Sequence, residues 1–208
     1  MYGPASSDRF ARVCRCGAYY QGRHDGLRDA QGGTCQHFGV YVRLESREWL
    51  PGKLRTDVVA PATHPSGNTL SEDVTCGETV GAPGHAPRRL EAREASKDSK
   101  YARYYPPTWV MRGAACSPLG EVGPGMREVV GWLSAHCSRI ASVPAGVVEA
   151  DMWRAMGISL VRRLTYTYEL AAVAQWGDGP TPGWVPRVRA VIDGELGPFD
   201  MGACAECD

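Results

Sequence analysis

The spacing of the hydrophobic residues changes along the chain, and this change constrains the fold more than any other feature. Over residues 38–44 apolar and polar side chains alternate, which is typical of a β-strand with one buried face. From Met126 to Ile140 the apolar residues instead recur every three or four positions, as on one face of an α-helix. The sequence therefore predicts an α+β fold, with strands early in the chain and helices late.

Three regions follow from this pattern. Residues 1–80 are predicted to be a β-rich, Cys- and His-containing region, residues 81–107 a charged connector, and residues 108–208 a helical region. The charged run in the connector is polar on all sides, which predicts a solvated segment without a role in the core.

Individual elements are predicted from the same periodicities. Besides residues 38–44, the strand candidates are Phe10–Cys16, Leu54–Val59 and Asp73–Val80. The helix candidates are Met126–Ile140, a helix that begins near Ser142 and reaches Trp176 unless Gly157 divides it, and Pro186–Glu195.

Charge and hydropathy restrict the partners. Lys and Arg together number 23, and Asp and Glu together also number 23. The chain therefore has no global basic field, and any contact with nucleic acid has to come from a local patch. No apolar run is long enough to span a bilayer, and the first residues do not resemble a secretory signal. We expect a soluble, cytoplasmic protein without a membrane partner.

Cysteine and histidine spacing gives the clearest chemical signal. Cys14 and Cys16 are separated by one residue, and so are Cys35 and His37. On a strand, residues two apart point to the same face, so each pair would present two ligands to one side. Three thiolates and one imidazole form a tetrahedral set suited to structural zinc. His24, in the intervening segment, could replace one of these ligands.

A second cysteine pair lies near the end of the sequence. Cys204 and Cys207 have the two-residue spacing common in zinc sites. They could form a second metal pair, or complete a site with Cys14 and Cys16. Because a reducing cytoplasm keeps thiols free, metal binding or simple burial explains the eight cysteines better than disulfides do.

The leading functional interpretation is a small intracellular, zinc-stabilised binding or adaptor protein without catalysis, whose protein partner is unknown. An alternative is a cysteine-dependent hydrolase with Cys35 as the nucleophile. The glycines before Cys35 could leave backbone N–H groups free for an oxyanion, and a nearby histidine could act as the base.

A third interpretation is a nucleic-acid-binding module that uses the basic and aromatic run at residues 88–109. Arg103, Tyr104 and Tyr105 are its central candidates, because bases stack on aromatic rings while arginines contact phosphates. Acidic residues in the same run cancel part of its charge. No phosphate-binding loop or hydrolase motif accompanies it.

Overall fold

A computed structural model of the chain describes residues 17–76, 86–117 and 120–176. The helices are α1 (Gly17–His37), α2 (Ala86–Tyr101), α3 (Pro124–Ala141) and α4 (Ala145–Trp176), and a short 3₁₀ helix covers Ala102–Tyr104. The strands are β1 (Arg43–Ser46), β2 (Thr56–Ala60), β3 (Thr69–Cys76) and β4 (Trp109–Cys116). The predicted α+β class is confirmed.

The four strands form one mixed sheet in the order β1-β2-β3-β4. Strands β1, β2 and β3 pair antiparallel, whereas β4 pairs parallel to β3, with Cys76 opposite Cys116 at the end of the register. A parallel pair needs a long crossover connection, and α2 is the helix in that crossover. One sheet thus joins strands from the first and third predicted regions.

Residues Gln21–Leu160 form the first of two compact units into which the chain divides. Within the first unit, the sheet and helices α1, α3 and α4 contribute to a single buried apolar cluster. It includes Leu27, Val58, Leu70, Val74, Ala114, Met126, Val130, Leu133 and Met152. This shared core fixes the helices against the strands.

Helix α2 crosses β4 at Gly113 in very close contact. A Cβ atom at Gly113 would lie 2.5 Å from the backbone oxygen of Glu94 and 2.9 Å from Cβ of Lys97. Only glycine permits this approach, and the approach fixes the position of Lys97 above the sheet.

The carboxylate of Glu94 connects α2 to the start of α3. It accepts hydrogen bonds from the backbone N–H groups of Gly125 and Met126, at 2.9 and 3.0 Å, and from that of Ala115 at 2.9 Å. A buried carboxylate here satisfies donors that the first turn of a helix leaves unpaired. Glu94 is 2% exposed, so this contact is an internal one.

Several predicted elements need correction. The prediction of a solvated charged connector without a core role was wrong, because Leu90, Glu94 and Tyr101 of α2 are buried. Residues 109–116 were predicted to be helical and form β4 instead. Their small and apolar residues do not alternate, as is usual for a strand covered on both faces, and so they give no period of two.

The other predicted strands and helices agree with the structure to different extents. Strand β2 lies close to the predicted Leu54–Val59, while β3 begins four residues before the predicted Asp73. The stripe of α3 is buried from Met126 to Cys137, but Ile140 at its end is 57% exposed. Helix α4 continues through Gly157 to Trp176. Phe10–Cys16 and Pro186–Glu195 lie outside the described residues.

Candidate metal centre

Three potential metal ligands from three elements converge at the two central strands of the sheet. His24 of α1, Asp57 of β2 and Asp73 of β3 each offer one ligand atom, and these atoms all lie within 4.8 Å of one another. We call these three residues the His24 cluster. Nε2 of His24 is 2.9 Å from Oδ2 of Asp57, and that same oxygen accepts a 2.6 Å hydrogen bond from the backbone N–H of Val74.

Burial makes the two carboxylates of the cluster unusual. The side chains of Asp57 and Asp73 are each only 5% exposed, and that of His24 is 14% exposed. Charged groups are rarely buried to this extent unless they are paired or coordinate a metal. The cluster therefore has the character of a site rather than of a solvated surface.

The pKa shifts in the cluster follow from this burial. Desolvation raises the pKa of Asp73, although the charge of Lys97 opposes that change. Desolvation by itself would lower the pKa of His24, but hydrogen bonds and charges from Asp57 and Asp25 raise it overall. The metal-free site thus favours protonated groups, and a cation would replace these protons.

Helix α2 supplies two more polar groups to the same place. Nζ of Lys97 lies 2.6 Å from Oδ1 of Asp73, and the hydroxyl of Tyr101 donates to the backbone oxygen of Arg55 at 3.0 Å. The two residues are four positions apart, so they share one face of the helix. Burial, and the neighbouring Asp73, raise the pKa of Tyr101, which keeps its hydroxyl protonated.

Glu72 is next to Asp73 but belongs to the core on the other face of the strand. Its Oε1 accepts a 2.9 Å hydrogen bond from Nε2 of Gln31 in α1, while its Oε2 has no partner. Complete burial raises the pKa of Glu72 to about 8. This carboxyl is a feature of the interior, separate from the ligands of the His24 cluster.

The donor set of the cluster selects a class of cation. The two carboxylates suit hard cations such as Mn²⁺ and Mg²⁺, which keep several bound water molecules, whereas the imidazole is also a common ligand of transition metals such as zinc. With three protein ligands, coordination positions remain open. Such a centre can bind a phosphate oxygen and lower the pKa of a bound water molecule.

The strand premise of the zinc prediction was wrong, because Cys35 and His37 lie in helix α1. Residues two apart on a helix point about 200° apart, so the pair cannot face one ion together. Cys35 is buried and His37 is exposed. Cys14, Cys16, Cys204 and Cys207 lie outside the described residues, so zinc binding by those cysteines stays a prediction.

Burial of Cys35 also argues against its use as a nucleophile. Its side chain is 0% exposed, and a hydrogen bond with Cys137 together with desolvation raises its pKa far above that of a free thiol. A reactive cysteine needs an accessible thiolate. Cys35 is instead a buried thiol between α1 and α3.

The predicted nucleic-acid residues lie after the end of α2. The guanidinium of Arg103 is 4.7 Å from the ring centroid of Tyr104, and Arg103 is exposed. The ring of Tyr105 stacks on Trp109 with centroids 5.2 Å apart and an angle of 8° between the planes. This end of the basic and aromatic run is therefore a surface of aromatic and cationic groups.

Sequence reasoning missed Asp57, Asp73 and Lys97. A usable signal was present, since both aspartates interrupt strand segments that are otherwise suited to burial. An acidic residue inside a buried strand needs a partner or a cation. His24 was identified only as a substitute zinc ligand, in the segment between Cys16 and Cys35.

No protein-family model matches the sequence, and no curated protein matches it significantly. Among the described residues, no helix combines the length and apolarity needed to cross a membrane.

Proposed function

We propose that this protein is a divalent-cation-dependent hydrolase of phosphodiester bonds in nucleic acid. The observation that carries the proposal is the convergence of His24, Asp57 and Asp73 beside the ammonium of Lys97. Mn²⁺ or Mg²⁺ is the cofactor that suits this donor set. We keep the predicted cytoplasmic location as part of the proposal, and the unbridged state of the four described cysteines supports it.

The His24 cluster and Lys97 have separate roles in the proposed reaction. His24, Asp57 and Asp73 would hold the cation, which would polarise a phosphate oxygen and lower the pKa of a water molecule. The oxygen of this water would form a new bond to phosphorus while the bond to the leaving sugar oxygen breaks. The same water supplies the proton that the leaving oxygen takes up, so the products are a phosphomonoester and a free hydroxyl. The charge of Lys97 stabilises the negative charge that develops on the phosphoryl oxygens.

Nucleic acid is the substrate class that the neighbouring surface favours. Lys97 and Tyr101 lie in the same run that continues into Arg103, Tyr104 and Tyr105. The hydroxyl of Tyr105 is 3.2 Å from Oγ1 of Thr56, the residue before Asp57. Aromatic and cationic side chains thus adjoin the metal ligands, as expected for an enzyme that binds a polynucleotide.

The proposal is tested with the full chain and labelled oligonucleotides. We expect cleavage with Mn²⁺ or Mg²⁺, none with EDTA, and a loss of at least a hundredfold in Asp57→Asn. Asp29→Asn is the matched control, because Asp29 lies exposed on α1 outside the cluster. Absence of cation-dependent cleavage by the wild-type chain, or full activity of Asp57→Asn, would reject the proposal.

A further inference from the structure

The surface next to the His24 cluster contains a groove with flat walls. It has a volume of about 510 Å³, and its lining includes Tyr105, Pro106, Pro107, Trp109 and Met111. We call it the Tyr105 groove. Its size lies within the usual range for sites that bind small organic groups. Rings, prolines and a methionine form the apolar part of the lining, which suits a planar aromatic ligand, and Asp98, Ser99 and Ala102 complete the lining.

Hydrogen bonds hold the aromatic platform of the groove in place. The hydroxyl of Tyr105 is 2.9 Å from Oγ of Ser71 and 3.2 Å from Oγ1 of Thr56. Its ring is parallel to that of Trp109, which begins β4. A ring fixed at its hydroxyl and stacked on a neighbour loses little entropy when a further ring stacks against it.

The same two hydrogen bonds place the groove close to the metal ligands. Ser71 lies two residues before Asp73 in β3, so the side chains of these two residues share one face of the strand, and Thr56 directly precedes Asp57 in β2. A base held in the groove would therefore belong to a nucleotide near the phosphate that is cleaved. The groove and the metal centre form neighbouring subsites on the same two strands.

Charge around the groove fits a nucleic acid strand. Lys100 and Arg103 are exposed beside it, and the guanidinium of Arg43 is 5.9 Å from the ring centroid of Trp109. Asp98, the acidic residue in the lining, is paired with Arg112 at 2.8 Å. Arg43 is also paired with Glu48, so the exposed Lys100 and Arg103 are the cationic groups of this segment that a phosphate would contact.

From these features we infer that the Tyr105 groove binds an unpaired nucleobase by stacking, so that the substrate is a single-stranded nucleic acid. This inference rests on the proposed function, because it assigns the substrate of the same centre. In a duplex both faces of an internal base are already stacked, and such a base cannot reach the groove. An unpaired base can extend the stack of Tyr105 and Trp109 whatever its sequence.

The test measures binding separately from cleavage. Fluorescence anisotropy with the full chain in EDTA compares a labelled oligothymidylate with a duplex of the same length and with an abasic strand that keeps the phosphates. We expect the oligothymidylate to bind about tenfold more tightly than either of the others. Equal affinity for the abasic strand would overturn the inference without any use of a variant.

Variants then assign the binding to the groove. Trp109→Ala should weaken oligothymidylate binding about tenfold and remove the preference over the abasic strand, whereas Trp109→Phe keeps a ring and should retain both. Trp49→Ala is the matched control, because Trp49 is 56% exposed and does not line the groove. Unchanged binding in a folded Trp109→Ala protein would overturn the inference.

Failure of the inference and failure of the proposed function give different results. If cation-dependent cleavage occurs but binding does not depend on the base, the hydrolase proposal is supported and the inference about the Tyr105 groove is wrong. If binding depends on the base and on Trp109 but no cation supports cleavage, the hydrolase proposal is wrong and the groove remains a nucleic-acid-binding site.

Discussion

The ammonium of Lys97 lies 2.6 Å from a carboxylate oxygen of Asp73, although the two residues are 24 positions apart and belong to a helix and a strand. Asp73 is almost fully buried, while the side chain of Lys97 is 29% exposed. In the proposed hydrolase, the lysine would connect the buried candidate ligands to the protein surface. It is positioned to act on a phosphate bound at the centre.

Replacement of this lysine should separate cation binding from catalysis. In Lys97→Met we expect cation-dependent cleavage to fall roughly a hundredfold, because a positive charge beside the developing oxyanion is lost. Binding of Mn²⁺, measured by calorimetry, should not weaken, because Lys97 is not a ligand. Lys53→Met is the control, since Lys53 is exposed on a turn and is not a member of the cluster. Unchanged cleavage in Lys97→Met would contradict this role.

Cation affinity should rise with pH. The pKa of His24 lies above its ordinary value of about 6.5 in the metal-free protein, and the pKa of Asp73 is raised as well. A cation binds only the deprotonated ligands, so binding releases protons. Calorimetry of Mn²⁺ binding in buffers of different ionisation enthalpy measures this release. Cation binding to His24→Gln should release fewer protons near pH 7. An unchanged release would show that the cation does not displace a proton from His24.

The same histidine should affect the metal-free protein in the opposite sense. A raised pKa in the folded state means that protonated His24 stabilises the fold below its unfolded pKa of about 6.5, and that this contribution disappears as pH rises through the folded pKa. In EDTA, His24→Gln should therefore lower the free energy of unfolding more at pH 6 than at pH 9. A pH-independent effect, measured by urea denaturation, would contradict the pairing of His24 with Asp57.

Close packing of α2 on β4 can be tested at Gly113. In Gly113→Ala the new Cβ would lie 2.5 Å from the backbone oxygen of Glu94, so the helix has to move. We expect a loss of about 2 kcal/mol of unfolding free energy and weaker cleavage, because Lys97 moves with the helix. Gly131→Ala in α3 is the control, since no atom lies within 4 Å of its Cβ and alanine favours helix. Equal stability of the two variants would contradict the close contact.

Periodicity predicted the elements whose packing is regular. The stripe from Met126 to Cys137 identified α3, and the apolar run that contains Val58 and Val59 identified β2. In α3 one repeating pattern of burial dominates the local sequence, whereas all five residues of β2 are buried and its apolar run identified it. The α+β class followed from these elements.

Helix α1 could not be predicted in the same way. It contains Gly26, Gly32 and Gly33, which disfavour an isolated helix, and its apolar residues are too few to give a clear stripe. Tertiary contacts override this preference, since Leu27 and Cys35 are buried in the core. The incorrect strand assignment then placed Cys35 and His37 on one face. Convergence of distant residues such as Lys97 and Asp73 depends on the parallel crossover, which no local pattern encodes.

The predicted zinc site at the chain ends can be separated from the His24 cluster by metal analysis. If Cys14, Cys16, Cys204 and Cys207 hold zinc, the full chain purified without added metal should carry about one equivalent. Cys14→Ser with Cys16→Ser should remove it, whereas Asp57→Asn should not. Less than about a tenth of an equivalent in the wild-type chain would reject the zinc prediction and leave the His24 cluster unaffected.

The buried carboxyl of Glu72 should make the fold weaker in alkali. Its pKa is about 8 in the folded protein and about 4.5 when exposed, so the folded state holds a proton that the unfolded state releases. Between these two values the free energy of unfolding falls as pH rises, and above pH 8 the loss is complete.

Glu72→Gln removes the charge, and its amide N–H can donate to the unpartnered Oε1 of Gln31. We expect this variant to match the wild type at pH 5 and to be more stable, by an amount on the order of a few kcal/mol, at pH 9. Urea denaturation at both pH values measures the difference. Equal stability at pH 9 would mean that Glu72 is solvated or paired in the folded protein.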